Sequence, residues 1–318
     1  MNMPAIETHQ QKTALVIHGG AGVISREHMS TSDQAAYEFA LHAALDAGNA
    51  VLQSGGSARA AVIASVMVLE DSPLFNAGKG SVFNAEGGHE LDASIMEGHT
   101  SKAGAVAGVR TIKNPILLAE AVMEHSPHVM LAIEGAEAFA DTQSDIVRVS
   151  PDYFDTEHRF KQLQATQADE QKTASTDLKG KYFGTVGAVA LDMHGHIAAG
   201  TSTGGMTNKR WSRIGDSPII GAGTYANEQC GVSGTGWGEF FIRAAVAHDI
   251  CARMKYRGDS LSEAAEEVLM NVVPEMGGDG GAIALDKDGN ISLPFNTEGM
   301  YRGWIKPDGS RGVAIFKE

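Results

Sequence analysis

A polar tract abutting an apolar one sets the tightest limit on how this chain can fold. Residues 162–181, QLQATQADEQKTASTDLKGK, carry almost no large apolar side chain, whereas 185–192, TVGAVALD, form an apolar β-type run entered through Gly184. The tract has nothing to offer a core and reads as a mobile surface linker of about 162–184. The run after it reads as a buried strand. Thr185 therefore heads a rigid element directly behind a segment that can be cut.

On both sides of the linker the apolar residues are periodic. Residues 13–17 form a short β run that empties into a glycine-rich loop at 18–22, HGGAG. Ala36, Phe39, Ala40, Ala43, Ala44, Ala47 and Val51 then mark one face of a helix over 34–52. Ser57 suits the N-cap of a second helix ending at Leu69, residues 103–112 read as a strand, and Pro115 can start a further helix. Beyond the linker, 185–192 and 197–203 flank a glycine-bearing turn, and 281–286 and 291–293 repeat that arrangement. Helices are expected over 239–256 and from Leu261, where Ser260 and Glu263 have capping-box spacing. This order predicts an α/β (α+β) chain, folded as one domain over 1–318, with sheet packed on sheet and helices outside.

Glycine supplies 38 of 318 residues, about 12% against a usual value near 7%, and it clusters where backbone must turn tightly or approach a ligand. Thirty-nine acids against 25 Lys and Arg give a formal charge of -14, which repels nucleic-acid phosphates and anionic lipid. A small-molecule or dipeptide substrate is the expected partner, since one placed arginine can dominate a pocket locally. Cys230 and Cys251 are too few for a disulfide scaffold and lack metal-site spacing, so they read as residents of a reducing compartment. With no apolar leader in MNMPAIETHQQK, the expected location is cytoplasmic. The twelve histidines show no HExxH spacing, so His18 reads as a structural hydrogen-bonder, not a zinc ligand.

Taken alone, Gly184-Thr185-Val186-Gly187 is an ordinary strand entry. Behind a cleavable linker it carries chemistry. Scission of the Gly184–Thr185 bond gives Thr185 a free α-amine beside its own hydroxyl, and an amine with a pKa of about 7.7–8.0 can serve as general base. The cut itself follows from attack of the Thr185 hydroxyl on the Gly184 carbonyl, with glycine minimising crowding there.

The motifs HGGAG at 18–22, PLFNAGKGSVF at 73–83, LDASIMEG at 91–98, KAGAVAGV at 102–109, GTVGAVALD at 184–192, TSTGGMTNK at 201–209, RIGDSPIIGAG at 213–223, GTGWGE at 234–239 and LPFNTEGMYRGW at 293–304 occur in this order. Together they resemble the plant-type L-asparaginases, also called isoaspartyl (β-aspartyl) peptidases, within the N-terminal nucleophile hydrolases. The resemblance implies a four-layer αββα sandwich, autocleavage into an α subunit (1–184) and a β subunit (185–318), and a dimer of such αβ pairs. It makes Thr185 the nucleophile, Thr203 its hydroxyl neighbour, and Asn76 an asparagine near the reaction centre. Thr235 and Gly236 correspond to the oxyanion hole, in a loop expected to open a helix. Arg213 and Asp216 grip the α-carboxylate and α-ammonium of the substrate, and Gly238 completes the cradle through its backbone. The carbonyls of Leu69, Glu70, Ser72, Phe75, Ala77 and Lys79 match a loop that binds sodium in relatives, a structural ion; no cofactor is implied for the reaction.

Two departures stand beside the implied pocket. Trp237 replaces a residue that is small in many relatives, and Arg210-Trp211-Ser212 replaces a segment that more usually has glycine before the arginine. The expected reaction is attack of Thr185 on a β-linked aspartyl carbonyl, releasing ammonia from L-asparagine or an amino acid from an isoaspartyl dipeptide. The alternatives are a glycosylasparaginase on the same fold and a non-catalytic glycine-loop module that binds a metabolite.

Overall fold

A single β-hairpin places the Gly184–Thr185 junction. The computed structural model describes residues 12–172 and 184–317; residues 1–11, 173–183 of the expected linker, and Glu318 lie outside the described residues. Strands β5 (Val186–Leu191) and β6 (Ile197–Thr203) pair antiparallel with Val186 opposite Ser202 and Leu191 opposite Ile197. Asp192 closes their turn: its Oδ1 accepts from the N–H groups of His194 and His196 at 2.9 and 3.0 Å. Its Oδ2 accepts from Ala58 N at 3.0 Å, which docks the first turn of a helix onto the hairpin. That two-residue carboxylate turn is the local device by which aspartate sets hairpin register.

The strands of the chain's first part are β1 (Ala14–Gly22), β2 (Leu91–Glu97), β3 (Ala103–Val109) and β4 (Met130–Ala132). After β5 and β6 come β7 (Thr224–Ala226), β8 (Cys230–Gly236), β9 (Gly280–Asp286), β10 (Ile291–Ser292), β11 (Gly299–Ile305) and β12 (Arg311–Phe316). They form an eight-stranded sheet in the order β12-β11-β1-β5-β6-β2-β3-β4 and a four-stranded sheet in the order β10-β9-β8-β7. The hairpin β5–β6 thus lies between β1 and β2, so the segment after Thr185 is threaded into the segment before it.

Alternation along the strands sorts side chains into separate cores. From β1, Leu15 and Ile17 join the core beneath α1 (Thr31–Gln53), α2 (Ala58–Glu70) and α3 (Pro115–His125). Ala14 and Val16 face the other way, into a core shared with Ile283 and Leu285 of β9. In turn, Ala282 and Ala284 of β9 join Cys230 and Val232 of β8 under α7 (Val246–Arg257) and α8 (Leu261–Glu267). The two sheets therefore face one another, as sheet-on-sheet burial of both apolar faces requires.

Helix starts follow the sequence. Ser57 accepts from Ala60 N at 3.2 Å, Pro115 occupies the first turn of α3, and Ser260 and Glu263 close a capping box. The chain also contains α4 (Ile133–Ala140), α5 (Glu157–Lys172) and α6 (Gly238–Ala244). Among the described residues no helix is long and apolar enough to cross a membrane.

Four expectations need correction. The glycines of 18–22 do not form a loop; they continue β1, paired with β11 across a bulge between His18 and Gly20. Residues 162–172 are not linker but the end of α5, because Gln, Ala, Glu and Lys are good helix formers and Leu163 and Arg159 anchor the helix in the interior. The helix expected over 239–256 breaks at Ala245 (φ 49, ψ 47), where Ala247 and His248 donate to the carbonyls of Ala222 and Gly221. Tertiary hydrogen bonds thus outweigh the helical run. Finally, Cys230 and Cys251 are joined in a disulfide, which ties β8 to α7 and removes the ground for reading them as free thiols. Spacing alone could not reveal that pair, since the partners meet only when α7 packs on β8.

Candidate active site

Register carries Thr185 to its neighbour. With Val186 opposite Ser202, the next pair at the open end of the hairpin is Thr185 and Thr203, and their Oγ1 atoms lie 2.9 Å apart. Thr203 Oγ1 also accepts from Gly205 N at 3.0 Å, which leaves its own proton free for Thr185. Thr203 is buried and Thr185 half-buried, so Thr185 is the more reachable of the two.

Asn76 organises the Gly184–Thr185 junction. Its backbone N–H donates to the Gly184 carbonyl at 2.9 Å, its Nδ2 to the Gly205 carbonyl at 2.7 Å, and its Oδ1 accepts from Val82 N at 2.9 Å. A donor on the Gly184 carbonyl polarises the group that the Thr185 hydroxyl would attack. The junction also needs two bare residues. Gly184 has φ +99, and a Cβ on Gly20 would fall 2.5 Å from Gly184 N, so only glycine lets β1 pass this closely.

Asn76, Gly184, Thr185, Thr203, Arg213, Asp216, Thr235 and Gly236 all line one pocket, together with Gly205, Met206, Gly215 and Ser217. Thr235 and Gly236 are the last two residues of β8, paired with Gly281 and Gly280; they belong to a strand end, not to a loop as expected. Thr235 Oγ1 accepts from Ala21 N at 3.3 Å, joining β8 to the glycine-rich end of β1.

The charged end of the pocket differs from the expected pair. Arg213 makes its two-pronged contact with Glu239, Nε to Oε1 at 2.8 Å and Nη2 to Oε2 at 2.7 Å. Asp216 is 5% exposed, and its Oδ2 has no hydrogen-bond partner among the described residues. Burial pushes the Asp216 carboxyl up to about 7, with the Arg213 charge opposing. Gly238 does not line the pocket itself; a Cβ there would lie 2.8 Å from both Arg213 Nη2 and Asp216 Oδ1, so its bareness lets the two groups sit side by side. Sequence reasoning missed Glu239, which is 26 residues from Arg213 and meets it only through α6.

The two departures from the resembled pattern have structural counterparts. Trp211 and Ser212 both take positive φ, 56 and 51, and Trp211 is 93% exposed. Glycine would occupy such backbone without strain, which is why its absence before Arg213 matters. Ser212 Oγ is held by Glu90 Oε1 at 2.9 Å, and Lys209 Nζ donates to the Glu90 carbonyl at 2.8 Å, pinning the segment. Trp237 precedes α6, and its side chain helps keep the Glu239 carboxyl below its ordinary range.

Behind Thr185, His18 Nε2 lies 2.9 Å from Ser233 Oγ, which lies 2.7 Å from Thr201 Oγ1. Burial pushes His18 down to about 3, and the Thr185 backbone offsets this only in part. His18 is thus a neutral structural bridge between the sheets.

A strand-head threonine paired with a second hydroxyl stands beside a buried acid and a fixed guanidinium, an arrangement in which a hydroxyl can act as nucleophile next to groups of both charges. The chain belongs to the asparaginase family, whose profile matches residues 11–315. It is similar to the isoaspartyl peptidase of Escherichia coli (strain K12), 51% identical over 96% of this chain and 97% of that protein. It is also similar to the isoaspartyl peptidase/L-asparaginase of Xenopus laevis, 40% identical over 93% of each chain. The Homo sapiens protein of that name is 41% identical over 90% of this chain and 91% of its own.

Proposed function

We propose that this chain is an autoprocessing threonine amidohydrolase that cleaves isoaspartyl dipeptides and hydrolyses L-asparagine to L-aspartate and ammonia. The observation that carries the reading is the 2.9 Å approach of Thr185 and Thr203 in the pocket that also holds Arg213 and Asp216. The names of the relatives support the substrate class.

Maturation begins when the Thr185 hydroxyl attacks the Gly184 carbonyl, whose oxygen already takes the Asn76 N–H. As the ester to Thr185 Oγ1 forms, the Gly184 C–N bond breaks and frees the Thr185 amine; water then hydrolyses the ester, releasing the Gly184 carboxylate and restoring the Thr185 hydroxyl. Fragments 1–184 and 185–318 stay together, because β5 and β6 are hydrogen-bonded to β1 and β2 on either side. The whole forms one domain of four layers, αββα, in keeping with two facing sheets that each carry helices on the outer side. Two such αβ units pair, as the family resemblance implies.

In turnover, Arg213 holds the substrate α-carboxylate and the unpartnered Asp216 Oδ2 accepts its α-ammonium. The Thr185 amine takes the hydroxyl proton as Oγ1 attacks the β-carbonyl, and Thr235 and Gly236 receive the developing oxyanion. The amine then passes the proton to the departing nitrogen. Water clears the aspartyl ester by the same base, releasing aspartate. Nucleophile and base reside on one residue, so this chemistry is complete with the chain's own groups.

The loop 69–80 suits a hard monovalent cation. Its candidate donors, the carbonyls of Leu69, Glu70, Ser72, Phe75, Ala77 and Lys79, are all hard oxygens, and a Cβ on Gly80 would collide with the Phe75 carbonyl oxygen. A sodium ion there would stiffen the loop that carries Asn76. The test of the whole reading is Thr185→Ala: the expected result is one uncut chain without activity toward either substrate, and retained cleavage or hydrolysis overturns it.

A further inference from the structure

Glu239 contacts the pocket-lining Arg213 and has no task in the proposed reaction. It is bound to Arg213 through both carboxylate oxygens, and the nearby indole of Trp237, a donor only, also favours its charged form. The Glu239 side chain is 44% exposed, but a two-pronged contact is stronger and more oriented than a single-pronged ion pair. It occupies Nε and one side of Nη2. The Nη1 end points toward Gly215, where a Cβ would lie 2.7 Å away, and Nη2 points toward Gly238 and Asp216. That edge stays open toward the pocket.

We propose that Glu239, held on Arg213, is a specificity-determining residue that makes the Arg213 subsite reject carboxylates arriving without an α-ammonium. The proposal rests on the reading of Arg213 and Asp216 as the grip on the substrate's amino-acid head. Before substrate enters, Glu239 already balances the Arg213 charge. A bare carboxylate therefore meets a subsite whose net charge is zero when Asp216 is protonated and negative when it is ionised. A zwitterionic head gains on both sides: its carboxylate takes the open edge of Arg213 and its ammonium takes Asp216 Oδ2. Behind them, Lys209 faces Asp92, so this second charge layer adds little net attraction for an anion. Without Glu239, the guanidinium would draw any small dicarboxylate.

The test is titration calorimetry of the matured protein with L-aspartate and with succinate, which is aspartate lacking its amine, at one pH above neutrality. The wild type is expected to prefer aspartate strongly. Glu239→Gln narrows that preference by roughly tenfold, chiefly because succinate tightens, and Glu239→Asp, which keeps the charge, retains it. Trp237→Phe, which loses the indole N–H but keeps the ring, narrows the preference partway and serves the same comparison if Glu239→Gln fails to mature. A parallel weakening of both ligands, or an unchanged ratio, overturns the proposal. Arg213→Lys separates the layers: weakened binding of both ligands supports the amino-acid-head reading, and unchanged binding of both removes that reading and this inference with it.

Discussion

Thr185 and Thr203 face each other across the open end of one hairpin, their hydroxyl oxygens 2.9 Å apart, because Val186 pairs with Ser202. With Gly205 N donating to Thr203 Oγ1, the Thr203 proton is directed to Thr185, where it can stabilise the oxygen as its own proton leaves. Thr203→Val keeps the shape and removes that donor. Steady-state assays on processed protein should show kcat reduced by about a hundredfold, with Thr203→Ser within about tenfold of wild type. Equal activity of the valine and serine variants would contradict the role.

Gly20 presses on the Gly184–Thr185 junction from a neighbouring strand. A Cβ there would meet Gly184 at 2.5 Å from its nitrogen, and Gly20 has φ +112, so alanine must displace the junction and pull the Gly184 carbonyl from Asn76 N–H. Gly20→Ala should remain a single band on a denaturing gel while still melting cooperatively. Wild-type cleavage in that variant would rule out the backbone fit as a requirement.

Two titrations should separate in the kinetics. Asp216, raised by burial to about 7, must be ionised to take an α-ammonium, so affinity improves as pH rises through that value and is lost below it. The Thr185 amine, near 7.7–8.0 when unperturbed, must be neutral to act as base (about one proton per site). KM is therefore expected to fall as pH rises through about 7, while kcat, measured at saturation, rises through the amine's own titration. A KM that stays flat across neutrality would detach Asp216 from substrate binding.

His18 makes the fold acid-sensitive. Burial lowers it from 6.5 to about 3, so between those values the unfolded chain binds a proton that the folded chain refuses. The His18 contribution to stability is complete above 6.5 and is lost as pH drops through this window, by up to about 1.4 kcal/mol per pH unit. Urea midpoints at about pH 7 and about pH 4.5 should drop more for wild type than for His18→Gln, which can keep a bond to Ser233. Equal drops would assign acid lability to other groups.

Much of this architecture is written locally. The hairpin around Asp192, the Ser57 and Ser260 caps and the Pro115 helix start all depend on residues within a few positions of one another, so periodicity and turn chemistry reveal them. The glycines of 18–22 were legible as special but not as strand, because what they accommodate is Gly184, distant in sequence. Residues 162–172 look like linker since only Leu163 is a large apolar residue, yet their helix propensity and the Arg159 anchor suffice. Glu239, the Ala245 break and the Cys230–Cys251 bond are long-range outcomes of how α6 and α7 settle on β8. No spacing rule reaches them.

The central claim is that Thr185 becomes a chain terminus and works from there. Intact mass spectrometry of active protein, with N-terminal sequencing of its fragments, addresses it directly. The account predicts two species meeting at the Gly184–Thr185 bond, the second beginning Thr-Val-Gly-Ala. Active protein that remains one uncut chain, or a second fragment starting at any other residue, would contradict it.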